Sequence, residues 1–178
     1  SKKILGYVLP LARKIEERFK KLAGVSEAIV AGSIRRRQET IGDIDLLVAT
    51  SKPGLAMETF LNMPEVADVY AKGETKTLVR LNNGMDADIR VVPKESFGAA
   101  LQYFTGSKAH NVELRKIAIA KKMKLNEYGL YKGKKLIAGK TEKEIYEALG
   151  LKLMPPEIRT ASGELEAAGT GKLPDLIP

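Results

Sequence analysis

The sequence predicts an α+β fold. Helical apolar spacing runs over residues 4–22 and a second, basic helix over 108–123. Between and after them come short strand-forming runs closed by turn signals, the strongest being Asn82-Asn83-Gly84. The chain has 178 residues, enough for one domain, or one domain with a small appendage, and for a real core.

Along the first helix Val8, Leu11, Ala12, Ile15, Phe19 and Leu22 make one apolar face, Pro10 marks a first turn or a kink, and Gly24 stops it. Residues 27–31 read as a strand ending at Gly32-Ser33. Residues 43–50, D-I-D-L-L-V-A-T, read as a strand buried mostly on both faces. After a Ser-Lys-Pro-Gly turn comes a short helix over 55–62. Strands follow over 66–72 and 75–81, joined at Gly73-Glu74, and a third over 85–92 ends at Pro93. Residues 97–104 look helical. Ser107 is placed to cap the 108–123 helix, and short strands around 125, 129–131 and 135–137 lead to a helix over 141–149, where Thr141 and Glu144 have capping-box spacing. From Met154-Pro155-Pro156 periodicity is lost, so 151–178 reads as a linker or surface tail. His110 reads as an exposed helix residue.

Composition narrows the chemistry. With no Cys and one His, disulfide frameworks, thiolate sites, thiol catalysis and multi-His metal sites are excluded. No apolar run approaches the roughly 18 residues of a membrane span and no signal peptide is visible, so no membrane role is expected. The chain opens Ser-Lys-Lys without Met, which suggests processing or trimming from a longer protein. The net charge is +8, distributed as +4 over 1–50, −1 over 51–105, +6 over 106–150 and −1 over 151–178. Two basic stretches around a block holding Asp86 and Asp88 suit a metal-dependent enzyme acting on a polyanion.

Asp43 and Asp45 alternate with Ile44 and so share one strand face. Two like charges beside the apolar Ile44, Leu46 and Leu47 call for a cation. An oxygen-only donor set selects a hard one, Mg²⁺ or Mn²⁺. Ten residues earlier, Gly32-Ser33 and the arginines 35–37 make a candidate triphosphate cradle of backbone N–H groups, a hydroxyl and guanidinium charge. Asp86 and Asp88 share a face with each other and with Arg90; spacing leaves open which is the third carboxylate. Three carboxylates and a phosphate cradle point to two-metal nucleotidyl transfer. Lys108, Asn111 and Arg115 lie at i, i+3, i+7 on one helix face.

These motifs (G-S-I-R-R-R-Q-E-T-I-G-D-I-D-L-L, D-I-R-V-V-P-K and Y-F-T-G-S-K-A-H-N-V-E-L-R) resemble the palm and nucleotide-binding subdomain of family X DNA polymerases, closer to bacterial and archaeal members than to polymerase beta, over about residues 4–150. The resemblance implies a nucleotidyltransferase palm over 1–105 with a mixed or antiparallel sheet flanked by helices, a small α+β nucleotide-binding subdomain over 106–150, and a tail over 151–178. It implies a repair-type, DNA-directed DNA polymerase that transfers dNMP from dNTP to a primer 3′-OH with release of pyrophosphate. The alternatives are another nucleotidyltransferase of the same superfamily, or a truncated core that binds nucleotide or DNA with little activity.

It further implies two Mg²⁺ (Mn²⁺ possible) held by Asp43, Asp45 and Asp88, the last favoured over Asp86 and helping to deprotonate the 3′-OH. Gly32, Ser33, Arg36 and Gly42 would bind the triphosphate. Tyr103, Phe104 and Gly106 would pack on the sugar and exclude a 2′-OH, and Asn111 would contact the base. Lys108 would also meet the nucleotide, where polymerase beta has an acidic residue. Arg115, Lys121 and Lys122 would bind primer-template or gapped DNA, and Arg90 would be the switch partner of Asp45. An Arg that the family places before the first helix has Lys2 or Lys3 in its stead. The implied setting is the prokaryotic cytoplasm, on the nucleoid when DNA is bound. The implied whole is a larger chain with an N-terminal lyase and helix-hairpin-helix module and a C-terminal phosphoesterase domain.

Overall fold

The structure, a computed structural model, describes residues 2–160 and 163–170. It divides into two compact units, Ser1–Lys94 and Glu95–Pro178.

The first unit contains β1 (Lys3–Ile4), α1 (Leu5–Lys20), β2 (Val25–Val30), a single turn α2 (Gly32–Arg35), β3 (Thr40–Ile41), β4 (Asp43–Thr50), α3 (Pro53–Leu61), β5 (Val66–Lys72), β6 (Lys76–Leu81) and β7 (Asp86–Val92). Five strands form a mixed sheet in the order β2-β4-β7-β6-β5; every pairing is antiparallel except β4 with β7. Strand alternation divides its residues. Ile44, Leu46, Val48, Ala87, Ile89, Val79 and Leu81 join the core built with Val8, Ala12, Ile15 and Phe19 of α1 and Ala56, Met57 and Phe60 of α3. Asp43, Asp45, Asp86, Asp88 and Arg90 therefore take the opposite face. Phe19 and Phe60 stack tilted at 6.2 Å between centroids, and Arg18 forks onto both oxygens of Glu65 at 2.8 and 3.0 Å. α3 begins two residues before the expected start because Pro53, whose φ is already helical, occupies its first turn.

The second unit contains α4 (Phe97–Thr105), α5 (Lys108–Ala120), the antiparallel strands β8 (Lys124–Asn126), β9 (Gly129–Lys132) and β10 (Lys135–Ala138), then α6 (Glu142–Ala148) and α7 (Glu164–Thr170). Thr141 and Glu144 form the expected capping box, and Glu144 also accepts from Gly139 and Lys140 N–H groups, which holds its carboxyl below the usual range. α4 can approach α6 because residue 98 is glycine: a Cβ there would lie 2.4 Å from the Thr141 backbone.

Three expectations are corrected. The division falls at 94/95, so residues 95–105 belong to the second unit: α4 shares the core of Leu114, Leu130 and Tyr146 through Ala99. α5 ends at Ala120, and Lys122 at φ 60 turns the chain out of the helix, so Lys121 and Lys122 sit beyond it. Residues 151–160 are not a linker. Leu151 and Met154 are buried in the second core, Arg159 is fully buried, and α7 adds Leu165 and Ala168. Irregular backbone packs these residues without any period that a sequence could display. Residues 161–162 and 171–178 of the expected tail lie outside the described residues.

Candidate active site

Parallel pairing of β4 and β7 sets Asp43 opposite Asp86, Asp45 opposite Asp88 and Leu47 opposite Arg90. The sequence put these carboxylates on strand faces; the register makes Asp45 and Asp88 neighbours. Asp88 is buried, and Asp43 is exposed at the start of β4. Burial first, then the charges of Asp88 and Asp43, push Asp45 up to about 7. Burial also raises Asp88, opposed by Arg90, whose Nη2 lies 3.8 Å from Asp88 Oδ2. The Arg90 charge lowers Asp45 as well, so Arg90 bears on both carboxylates.

A divalent cation suits this donor set. Asp88 Oδ1 is buried and accepts no hydrogen bond among the described residues, and the charges of Asp88 and Asp43 raise the affinity of Asp45 for positive charge. Among the described residues no three acidic or His side chains already converge as ligands. Asp43 is exposed at the start of the same strand as Asp45.

β2 runs directly into α2. Ala31 N–H donates to the Asp45 carbonyl at 2.8 Å, and Gly32 follows at φ +63. A groove of ≈ 760 Å³ is lined by Ser33, Arg36, Gly42 and Asp43, with Lys2, Arg37 and Gln38–Thr40 completing its wall. The four residues predicted from Gly-Ser and Gly-Asp-x-Asp thus share one polar groove. Lys2 joins them because β1 pairs with β3. Burial lowers the Arg36 pKa, and the Asp45 charge raises it. Gly32-Ser33 was expected at a strand end; it opens the single turn of α2.

In the second unit Tyr103 and Phe104 make an edge-to-face pair at 4.9 Å. Ser107 Oγ accepts from His110 N–H and caps α5. Asn111 is buried: its Oδ1 accepts from Gln102 at 2.7 Å and its Nδ2 donates to Tyr103 O at 2.8 Å. Lys108 is exposed and Arg115 half-buried, so the shared face is graded, not uniformly solvated.

Residues 8–93 match the DNA polymerase beta palm family and residues 100–160 the DNA polymerase beta thumb family. The chain belongs to the family X DNA polymerases. It is 37% identical over 166 residues to the DNA polymerase/3′-5′ exonuclease PolX of Bacillus subtilis, which covers 91% of this chain but only 29% of that protein. It is 30% identical over 140 residues to the repair DNA polymerase X of African swine fever virus, covering 74% of this chain and 80% of that one. In fold it is similar to Leishmania infantum polymerase beta, solved as a ternary P/T complex, with a TM-score of 0.75, 24% identity, and coverage of 90% of this chain and 77% of that one. The carboxylate face lies within the residues that match the palm family.

Sequence reasoning missed the polar knot of the second unit. His110, expected to be exposed, is fully buried: Nδ1 lies 3.1 Å from Glu164 Oε1 and Nε2 2.8 Å from Tyr146 Oη. Arg159 pairs with Glu142 at 2.6 Å and donates twice to Met154 O. His110 lies on the buried side of α5 with Leu114 and Ala118, and its partners are far away in sequence. Among the described residues no helix is long and apolar enough to cross a membrane.

Proposed function

We propose that this chain is the catalytic core of a repair-type DNA polymerase that adds dNMP from dNTP to the 3′-OH of a primer on gapped or recessed DNA. The observation that carries this is the Asp45–Asp88 register beside a polar groove lined by Ser33, Arg36, Gly42 and Asp43. Asp43 and Asp45 would hold two Mg²⁺, with Asp88 sharing the catalytic one; bound there, the ions make the primer hydroxyl more acidic and balance charge on the triphosphate. Mn²⁺ would serve in their place. Asp88 takes the hydroxyl proton as the 3′-oxygen attacks the α-phosphorus and pyrophosphate leaves. Ser33 Oγ, the Arg36 guanidinium and the Gly42 N–H hold the β- and γ-phosphates, with Gly32 allowing close approach and Lys2 adding charge.

From the second unit, Tyr103, Phe104 and Gly106 pack on the sugar and disfavour a 2′-OH. Asn111 keeps one Nδ2 hydrogen beyond the bond to Tyr103 and offers it to the base edge. Lys108 meets the nucleotide. Arg115, Lys121 and Lys122 bind DNA phosphates. Arg90 is the switch partner of Asp45, pairing with it when metal is absent. The remaining length of the Bacillus subtilis relative fits a larger whole with lyase, helix-hairpin-helix and phosphoesterase modules, and a cytoplasmic, nucleoid-associated setting.

Magnesium-dependent addition of a single dNTP to a one-nucleotide gap tests the reading. Templated addition that EDTA abolishes is expected. Equal use of rNTP on an RNA primer would instead place the chain among the other nucleotidyltransferases.

A further inference from the structure

Glu16 lies on the buried face of α1, 4% exposed, among apolar neighbours where a carboxylate needs partners. It has two: Arg13 Nη1 donates to Oε1 at 2.5 Å, and the backbone N–H of Val30 donates to Oε2 at 2.7 Å. Val30 ends β2, an edge strand of the sheet. Its neighbour Ala31 donates the other way, to the Asp45 carbonyl, and Gly32 begins the turn that carries Ser33 and Arg36. The last two residues before the phosphate cradle are therefore gripped from opposite sides, one by the backbone of β4 and one by a side chain of α1. An apolar residue at 16 would pack more cheaply but would leave the Val30 N–H buried without an acceptor. Glu16 bonds the residue three before Ser33, and a carboxylate there does not favour anion binding by its charge, so its contribution is geometric.

We infer that Glu16 is a positioning residue for the triphosphate: by holding the exit of β2 it presets the Gly32-Ser33 turn. The inference rests on the polymerase reading of that cradle. The test compares the full chain with Glu16→Gln, which keeps an acceptor oxygen but no charge, and Glu16→Leu, which keeps the volume but has no acceptor. Affinity for dGTP with Mg²⁺ is measured by calorimetry, and KM and kcat by gap filling. Leu is expected to weaken dGTP binding about tenfold or more and to raise KM, the scale of one buried donor left unpaired, while Gln binds like the natural chain. Unchanged affinity with Leu, or equal damage with Gln, would overturn the inference.

Amide exchange on the natural chain gives a reading that no folding defect can cloud. Val30 and Ala31 are expected to be as protected as the centre of β4 before nucleotide is added. Free exchange of Val30 that slows only with dGTP would count against Glu16 presetting the turn. A natural chain that binds no dGTP at all would defeat the polymerase reading itself, which is a different result from equal binding with Leu at 16.

Discussion

Gly32 and Asp45 are in contact: a Cβ on Gly32 would lie 2.5 Å from Asp45 Oδ2, at a backbone φ of +63. The turn that presents Ser33 and the strand that presents the carboxylates are thus locked together through a missing side chain. Gly32→Ala must displace the carboxylate and adopt a disfavoured backbone. It is expected to cost about 1 kcal/mol or more of stability and to lower nucleotide incorporation at least about tenfold, roughly a 1.4 kcal/mol effect on the barrier. Primer extension beside a thermal melt checks both; full activity in Gly32→Ala would mean that the two elements are not coupled.

On the proposed polymerase reading Asp88, rather than Asp86, carries the chemistry on this face. Asp88 stands opposite Asp45 and is buried with an oxygen unmatched among the described residues, whereas Asp86 stands opposite the exposed Asp43 beside the turn. Asp88→Ala is expected to reduce single-nucleotide addition by roughly 10²–10³-fold, the scale of removing one group aimed at the reacting centre. Asp86→Ala should stay within about twofold, as a replacement away from the buried features does. Gap-filling rates at saturating dNTP compare them, and the reverse ranking would refute the assignment.

His110 is expected to make the second unit sensitive to acid. Burial, its largest influence, lowers its pKa below the usual 6.5, and the bond to Glu164 opposes that shift. A depressed folded-state pKa means that the unfolded chain takes up the proton first. The stabilisation is therefore complete above about 6.5 and is lost as pH falls through that value toward the folded pKa. Glu164, Glu142, Tyr146 and Arg159 are the titratable groups that enclose it or bear on it. Urea unfolding followed from pH 7.5 to 5.5 should show a falling midpoint that flattens in His110→Gln. A midpoint constant over this range in the natural chain would contradict the assignment.

Arg159 binds the segment after α6 into the fold. It is fully buried on Glu142 and Met154 O, so removing it takes the cation from a buried carboxylate. Arg159→Ala is expected to destabilise the second unit by about 3–5 kcal/mol. Replacing both members, Arg159→Met with Glu142→Met, should recover most of that loss. Denaturation midpoints of the two variants decide it. A single replacement as stable as the natural chain would show that the pair contributes nothing.

Much of the site was legible because its logic is local. The alternation of D-I-D puts two carboxylates on one face whatever the sheet around it, and Thr141 with Glu144 closes its capping box within four residues. The runs 43–50 and 66–72 emerge as strands with their expected bounds. Family motifs added the roles that spacing left open, such as the preference for Asp88.

What the amino-acid order alone determined is therefore which residues can act: the carboxylate faces, the Gly-Ser turn and the basic helix. Tertiary structure decided which of them meet. The parallel β4–β7 register brings Asp45 to Asp88. Glu16 reaches Val30 across 14 residues, Arg159 reaches Glu142 across 17, and His110 reaches Glu164 across 54. In a sequence each of these polar side chains reads as a surface residue, because burying a charge is unfavourable until a partner neutralises it. Only folding supplies that partner, and so local pattern could not place Glu16, His110 or Arg159 in the interior.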